Sequence, residues 1–282
     1  MIQDSKKAIL IVSFGTSFHE TREKTIDKIE DMIENAYKNY KIYKAWTSKI
    51  IIKKLLKRDN IHVNTVTEAM KEIVKDGIEE LIVMPTHILN GVENDIMEAD
   101  VLAFNDEVSN IVFASPLLTT TGDCMKVILA LMDAHKDLSE DEAIVFMGHG
   151  TSHHANSVYP AINYIFNDLG YKNAFMATVE GYPSIENVLK SLKDTDYKKV
   201  RLAPFMLVAG DHANNDMSGD DDDSWKNIFM ANGYEVECQL LGLGEYPQVR
   251  SIYLDHLDTA ILNLKKQAHE IEESAKEKTL NA

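Results

Sequence analysis

Eight short apolar, strand-like runs are separated by longer segments with helical spacing along this chain of 282 residues. A continuous apolar strand is buried on both faces, as happens in a parallel sheet that helices cover on both sides. Helical spacing marks Thr21–Tyr37, Thr65–Lys75 and Ile185–Lys193, and a long charged helix is predicted from Pro247 to about Lys278. The pattern therefore predicts an α/β fold with parallel sheets. The predicted strands are Ala8–Ser13, Ile42–Trp46, Leu81–Pro85, Ile111–Ala114, Ala143–Met147, Ala174–Val179, Val200–Met206 and Glu235–Leu240.

The chain also repeats itself. Ala8–His19 aligns with Ala143–His154 at an offset of 135, and six of the twelve positions are identical. A second match, between Met84–Gly91 and Ala203–Gly210, has an offset of 119. Matches that recur in the same order along a chain indicate an internal duplication. We therefore predict two similar α/β halves, the second of which carries the long C-terminal helix. These halves are residues 1–138 and 139–282.

Charge and composition narrow the functional classes. The chain has 29 Lys and Arg against 45 Asp and Glu, a formal net charge of −16. Nucleic-acid binding requires a basic surface, so no nucleic-acid partner is expected. No apolar stretch approaches the roughly 18 residues of a membrane helix, and the apolar run Ala8–Val12 is too short for a signal sequence. With two cysteines and no CxxC motif, we expect reduced thiols and a cytoplasmic location without membrane association.

Three polar side chains follow apolar strands of the second half. They are His149, Glu180 and His212, separated by 31 and 32 residues. One strand–helix–strand step takes about 30 residues, so the three are expected at neighbouring strand ends. Ligands of open parallel sheets bind at the carboxyl ends of the strands. Because two imidazoles and a carboxylate suit a divalent first-row metal, the three residues predict a metal site.

The first half lacks these side chains. Its counterparts of the three positions are Phe14, Ser48 and Glu93. We therefore expect the first half to supply architecture and substrate contacts, and the second half to supply the metal site. Taken singly, each second-half residue also has a structural interpretation, as a hydrogen-bonded loop histidine or an exposed carboxylate at a strand end.

Other polar residues near the predicted rim are open to two interpretations. His153 and His154 either cap the following helix or shuttle protons, and His87 lies near the corresponding rim of the first half. Asp211 or a neighbouring carboxylate is expected to orient the ring of His212. The run Asp220–Asp223 either precedes a helix N-terminus, where carboxylates are favourable, or attracts incoming cations.

Four strings carry a resemblance to a known family. They are Ser13–Ser17, Met147–His154, Met206–Met217 and Asp222–Lys226, within a resemblance that extends from Lys6 to about Leu262. These strings resemble the anaerobic-pathway sirohydrochlorin cobaltochelatases, which belong with the ATP-independent class II chelatases.

The resemblance implies two Rossmann-like parallel-sheet halves with an inter-domain cleft, as in ferrochelatase. It implies that His149 and His212 are the catalytic, metal-contacting histidines and that Glu180 is a metal ligand. The implied reaction is insertion of Co²⁺ into sirohydrochlorin, or into precorrin-2, in anaerobic cobalamin biosynthesis. The divalent metal and the tetrapyrrole are then the substrates.

This chemistry agrees with the residue types. Metallation removes two pyrrole protons from the macrocycle, and histidine titrates close enough to neutral pH to accept them. The substrate carboxylates require cationic partners, for which we consider the segment Lys49–Arg58 and Arg22. No Walker motif is present, so no nucleotide cofactor is expected.

Other functions remain compatible with the sequence. A nitrogen and oxygen site binds Fe²⁺ and Ni²⁺ as well as Co²⁺, so the physiological metal stays open. A non-catalytic tetrapyrrole or metal carrier would bind without accelerating insertion. A zinc hydrolase using the loop Gly148–His154 is a third alternative, disfavoured because there is no HExxH motif. The oligomeric state is open and includes a homo-oligomer.

Overall fold

A computed structural model describes the backbone of residues 6–280 and the side chains of residues 6–266. It contains two four-stranded parallel sheets. All eight predicted strands are present, with ends shifted by at most two residues. The strands are β1 Lys7–Ser13, β2 Lys41–Trp46, β3 Glu80–Pro85, β4 Asn110–Phe113, β5 Glu142–Gly148, β6 Ala174–Thr178, β7 Lys199–Pro204 and β8 Glu235–Cys238.

The two sheets have the same strand order, β2-β1-β3-β4 in the first and β6-β5-β7-β8 in the second. Even the register agrees, because Val12 pairs with Pro85 in the first sheet as Met147 pairs with Pro204 in the second. In this order the direction of chain progression reverses between β1 and β3, and again between β5 and β7. Crevices at such reversal points are where open α/β sheets bind ligands.

Ten α-helices flank these sheets in the described part of the chain. They are α1 His19–Lys24, α2 Ile26–Ala36, α3 Lys49–Asp59, α4 Val66–Lys75, α5 Val92–Leu102, α6 Thr121–Ala134, α7 Val158–Asp168, α8 Ile185–Leu192, α9 Trp225–Ala231 and α10 Pro247–Leu280.

Helix boundaries follow from the local sequence. Thr65 starts α4 by accepting a hydrogen bond from the backbone N–H of Glu68, whose carboxylate accepts from the N–H of Thr65 in return. Within this helix Ala69, Met70 and Ile73 are buried, and their spacing places them on one face. The helical spacing over Thr21–Tyr37 corresponds to two helices rather than one, because the chain breaks at the buried Thr25 between α1 and α2.

The two sheets share one hydrophobic core. The largest cluster of buried residues includes Ile9 and Ile82 from the first sheet and Phe146 from the second. Helix α10 contributes buried side chains four residues apart to this cluster, including Tyr253 and Leu257. The helix packs on β3, β4, α2 and α6. The long helix assigned to residues 139–282 therefore packs largely on the first half, and a division after residue 138 stays a prediction.

Two further features concern the membrane and the cysteines. No helix within residues 6–280 is long and apolar enough to cross a membrane. Cys124 and Cys238 are both free thiols, and burial raises the pKa of Cys124 to about 11. A thiol with so high a pKa is a poor nucleophile, so Cys124 is a packing residue.

Candidate metal and catalytic site

His149 is the first residue after β5. Its ring nitrogen Nδ1 lies 2.9 Å from the carbonyl oxygen of Gly150, and because a carbonyl only accepts, Nδ1 carries the hydrogen. The other ring nitrogen, Nε2, then has a free lone pair. Gly150 has a φ of +83°, and a Cβ atom there would lie 2.6 Å from the backbone nitrogen of Gly181. Both the positive φ and the close approach of Gly181 therefore require glycine at position 150.

Glu180 lies in the loop after β6, directly beside this turn. Its backbone N–H donates to the carbonyl oxygen of His149 over 2.8 Å, which continues the pairing of β5 and β6 beyond the strand ends. Asn156 ties the two loops together, since its Oδ1 accepts from the N–H of Thr151 and its Nδ2 donates to the carbonyl of Tyr182. The backbone that carries Glu180 is thus anchored on both sides.

His212 follows β7 after a seven-residue loop and precedes a π-helical turn, Ala213–Met217. Its Nδ1 lies 2.6 Å from Oδ2 of Asp216, one turn along the chain. Because the Asp216 carboxylate accepts the hydrogen of Nδ1, the lone pair of the neutral ring is on Nε2 and the ring orientation is fixed. Asp216, rather than Asp211, is therefore the carboxylate that orients His212.

The structure brings the three predicted residues together. The rings of His149 and His212 are perpendicular, with centroids 4.7 Å apart. Oε2 of Glu180 lies 3.9 Å from Nδ1 of His149. All three side chains are solvent-accessible. Among the side chains of residues 6–266, no three His, Cys, Asp or Glu side chains form a ready-made metal cluster, so joint ligation requires side-chain rotation.

The position of these residues in the fold matches their chemistry. His149 and His212 follow β5 and β7, which flank the reversal point of the second sheet. Both Nδ1 atoms face acceptors of the protein, so the lone pair of each ring in its neutral form is on Nε2 and is available at this crevice together with one carboxylate. Such a set can bind a divalent cation of intermediate softness or accept protons.

The first-half rim is built differently. Phe14 is about half exposed, and the Ser48 hydroxyl accepts the first-turn N–H of Ile51 at the start of α3. Glu93 is exposed in the first turn of α5. The backbone N–H of Ser48 donates to the carbonyl oxygen of Phe14 over 3.2 Å, as the N–H of Glu180 does to His149. No side-chain hydrogen bond or ion pair joins Phe14, Ser48 and Glu93 in the described part of the chain. The first half thus repeats the strand ends without repeating the two histidines.

His87 does not reach the rim as an exposed base. It is buried, burial lowers its pKa to about 4, and a contact with Asn94 opposes that shift. Neither ring nitrogen has a hydrogen-bond partner of good geometry among the described residues. His87 is therefore neutral at physiological pH and unsuited to accept protons there.

His153 caps the short 3₁₀ helix His154–Ser157, as one of its two interpretations predicted. Its Nδ1 accepts the backbone N–H of Ala155 over 3.2 Å. Its Nε2 lies 3.3 Å from Oδ2 of Asp95 on α5, so this loop meets the first half directly. His154 is exposed and packs against the ring of His153. The sequence carried no signal for the contact with Asp95, 58 residues away.

The residues considered for binding the substrate carboxylates form two groups, arginines that contact other residues of the protein and lysines that are exposed. Arg22 donates to Asp27 and lies over the ring of Trp46, and Arg58 binds Asp59 and the carbonyl of Ser17. These contacts occupy both guanidinium groups. The lysines of α3 are exposed instead, and they are Lys49, Lys53, Lys54 and Lys57.

The acidic run Asp220–Asp223 precedes α9, but Ser224 is the residue that caps this helix. Asp220 forms an ion pair with Lys226 over 2.9 Å. A cavity elsewhere, lined by His135, Lys136 and Tyr171 among others, lies near the amino ends of β5 and β6 and contains none of the three rim residues. This cavity therefore does not coincide with the three rim residues.

Comparison with known proteins agrees with this geometry. Residues 7–262 match the family model described as cobalt chelatase (CbiK). The sirohydrochlorin cobaltochelatase of Salmonella typhimurium is 37% identical over 256 residues, covering 91% of this chain and 97% of that protein. Sirohydrochlorin cobaltochelatase CbiKC of Nitratidesulfovibrio vulgaris is 31% identical over 261 residues, covering 91% of each.

A solved structure shares the fold at low sequence identity. The sirohydrochlorin chelatase SirB of Bacillus subtilis subspecies spizizenii, solved in complex with cobalt, is 13% identical with a TM-score of 0.62. The match covers 93% of this chain and 98% of that one. The double α/β architecture is therefore that of the class II chelatases. With the family model matched from β1 to α10, this chain belongs to the cobalt chelatase (CbiK) family.

Proposed function

We propose that this protein inserts Co²⁺ into sirohydrochlorin without nucleotide hydrolysis, in anaerobic cobalamin biosynthesis. The observation that carries the proposal is the meeting of His149, Glu180 and His212 at the crevice of the second sheet, in a chain of the cobalt chelatase family. We assign His149 and His212 as catalytic residues that also contact the metal, and Glu180 as the third metal ligand.

The loose arrangement of the three groups suits an ion that is a substrate. A structural metal site is closed by four tightly placed ligands, whereas a site that must hand its ion on keeps open positions. Metal–nitrogen and metal–oxygen bonds of about 2.0–2.2 Å can be reached from the observed separations by rotation of exposed side chains. Glu180 and the oriented His212 supply the negative charge and the lone pair that attract a hydrated cation.

The same residues can take up the protons that insertion releases. Each incoming ion displaces two pyrrole protons, and a neutral imidazole with a free Nε2 is the matching acceptor. The hydrogen bond from Nδ1 of His212 to Asp216 keeps the lone pair of the neutral ring on Nε2, the nitrogen that receives the proton. Solvent exposure of the rim gives these protons a way out.

The macrocycle needs cationic partners in a chain with a net charge of −16. We propose the exposed lysines of α3 for this role, with Lys49 best placed because α3 begins where β2 ends, at the rim. Arg22 and Arg58 are weaker candidates, since carboxylates and carbonyls of the protein already occupy them. Charge-assisted hydrogen bonds from lysine would orient the peripheral carboxylates.

Fe²⁺ or Ni²⁺ insertion, and use of precorrin-2 as the tetrapyrrole, stay alternatives within the same chemistry. A non-catalytic carrier is the alternative from another class. We also propose a cytoplasmic location, which two unpaired thiols support.

The test is an anaerobic insertion assay. Purified protein is mixed with sirohydrochlorin and Co²⁺, Fe²⁺ or Ni²⁺, and the absorbance change of metallation is followed. We expect the highest kcat/KM with Co²⁺, and a loss on the order of 100-fold in His149→Ala and in His212→Ala. His62→Ala, which changes an exposed histidine that is not among the three assigned residues, serves as the matched control and should keep the parent rate.

Each alternative gives a distinct result. A carrier binds tetrapyrrole and metal without accelerating insertion above the uncatalysed rate. A faster reaction with Fe²⁺ or Ni²⁺ changes the metal and keeps the site. Parent rates in both histidine variants would refute the site assignment even where insertion itself is catalysed.

A further inference from the structure

We propose that Asp95 and His153 form a clasp across the two halves, which positions the tetrapyrrole against the metal-binding loop. The two side chains belong to different halves and meet with Oδ2 and Nε2 3.3 Å apart. The proposal rests on the proposed chelatase function, because it assigns these residues a part in binding the substrate of the same crevice.

Both ends of the clasp belong to rim elements. His153 lies in the loop that begins with His149, four residues further along the chain. Asp95 lies in the first turn of α5, two residues after Glu93, the first-half counterpart of His212. A contact between these two elements sets the width of the crevice between the halves at the level of the metal site.

The hydrogen on the ring of His153 can be assigned from its contacts. Because Nδ1 accepts the N–H of Ala155, the hydrogen of the neutral ring is on Nε2, and this nitrogen faces Asp95. The backbone N–H of His153 is held in turn by Oγ1 of Thr151. The ring is thus fixed as a donor toward α5, and the interaction does not require a charged imidazole.

The separation of 3.3 Å is just longer than the usual range for an N–H···O hydrogen bond. A closing movement of a few tenths of an ångström completes the bond. Val92 lies on the same face of α5 as Asp95, three positions before it, and is exposed. Ile96, four positions after Val92, is also exposed and extends this apolar surface. Closing the clasp therefore also advances an apolar surface, of the kind that covers the face of a macrocycle, toward the loop with His149.

Asp95 and His153 are positioning residues in this account, so their loss should act on tetrapyrrole binding more than on chemistry. In the insertion assay with Co²⁺ and sirohydrochlorin, Asp95→Ala and His153→Ala should each raise the KM for sirohydrochlorin by about threefold to tenfold, with little change in kcat. The double variant should show no further increase, because the two changes remove one interaction.

Conservative and control variants separate the clasp from a structural effect. Asp95→Asn keeps an oxygen that accepts from a neutral Nε2–H, so its KM should stay close to the parent value. Asp100→Ala removes the same charge from the same helix and should leave KM unchanged. An Asp95→Asn variant as impaired as Asp95→Ala, or a parent KM in Asp95→Ala, would overturn the proposal.

A second readout does not depend on metal insertion. Ring nitrogen chemical shifts in the intact protein should show the hydrogen of His153 on Nε2, and Asp95→Ala should shift the Nε2 resonance of His153. If the parent protein catalyses no insertion, the proposed function fails, while this measurement still decides whether the clasp exists. A hydrogen on Nδ1 of His153 would refute the clasp in an active enzyme.

Discussion

The rims of the two sheets are built on the same strand order yet differ in their loops. In the first half β2 is followed after two residues by α3, and Ser48 is both the counterpart of Glu180 and the N-cap of that helix. In the second half six residues separate β6 from α8, and Ser184 occupies the N-cap position. Because Ser184 is the N-cap in this longer loop, Glu180 does not cap a helix, and its carboxylate is exposed beside His149.

The difference teaches how a duplicated fold acquires one site. The repeated core fixes where the strand ends lie, while loop length and side-chain type decide which rim carries chemistry. The second half places a carboxylate behind His212, whereas the corresponding position of the first half is the buried Met97. Matched substitutions in the two halves can therefore break or sharpen this comparison.

The largest effect is expected at Glu180. Glu180→Gln removes a charged metal ligand while keeping the side-chain shape, so we expect Co²⁺ affinity to fall by at least about 100-fold with little loss of stability. The counterpart change Ser48→Ala removes a helix cap and should lower the free energy of unfolding by about 1 kcal/mol without changing Co²⁺ affinity. Isothermal titration with Co²⁺ measures the affinity of each variant, and chemical denaturation measures its free energy of unfolding. Equal effects on Co²⁺ affinity would remove the asymmetry between the rims.

Asp216 gives the next effect. Because its carboxylate orients His212, Asp216→Ala should lower the insertion rate by roughly 10-fold to 100-fold, with metal affinity reduced in parallel. Its first-half counterpart, Met97→Ala, should cost about 2–5 kcal/mol of stability through a cavity. Insertion kinetics of both variants, below their unfolding temperatures, provide the comparison. A parent rate in Asp216→Ala would show that His212 does not need this partner.

Gly150 and Gly15 test the two turns. Both have positive φ, and a Cβ atom at Gly15 would lie 2.4 Å from Trp46. Alanine at either position should lower the free energy of unfolding by about 1–3 kcal/mol. Only Gly150→Ala pushes against the backbone of Glu180 and Gly181, so only this variant should also lose Co²⁺ affinity. The prediction fails if Gly15→Ala weakens Co²⁺ binding to the same extent.

The last effect does not involve Co²⁺ binding and is a pH dependence of stability from the first half. The unfolded chain takes up a proton on His87 near pH 6.5, whereas the folded chain does so only at about pH 4. Because the unfolded state binds more protons in that window, the free energy of unfolding falls as the pH decreases from 6.5 to 4. The contribution is on the order of 3 kcal/mol at most. Denaturation of His87→Gln across this range should give a shallower slope, and an unchanged slope would contradict the assignment.

Much of the fold follows from local pattern. Apolar runs identified all eight strands, most clearly the central strands β1 and β5, because a strand buried on both faces requires apolar residues at every position. The rim residues followed from the same pattern, since equal spacing of His149, Glu180 and His212 after successive strands places them at one edge. Topology then brings together groups that are 31 and 32 residues apart.

Features that depend on distant contacts could not be predicted. The break at Thr25 coincides with close packing against Gly244, where an added Cβ atom would lie 2.8 Å from the Cβ of Thr25, and helical periodicity alone does not show such a contact. The sequence predicted Asp211 or a neighbouring carboxylate beside His212, and the structure identifies Asp216, which lies one turn further along the chain. Arg22 looked like a substrate ligand until the structure showed its contacts with Asp27 and Trp46.

Anomalous diffraction at the cobalt edge, from crystals equilibrated anaerobically with Co²⁺, tests the account most directly. We predict one strong peak within about 2.2 Å of Nε2 of His149, Nε2 of His212 and a carboxylate oxygen of Glu180. No comparable peak should lie beside Phe14, Ser48 and Glu93. A dominant peak at the first-half rim, or one that contacts fewer than two of the three second-half residues, would contradict the claim that the metal-binding chemistry lies in the second half.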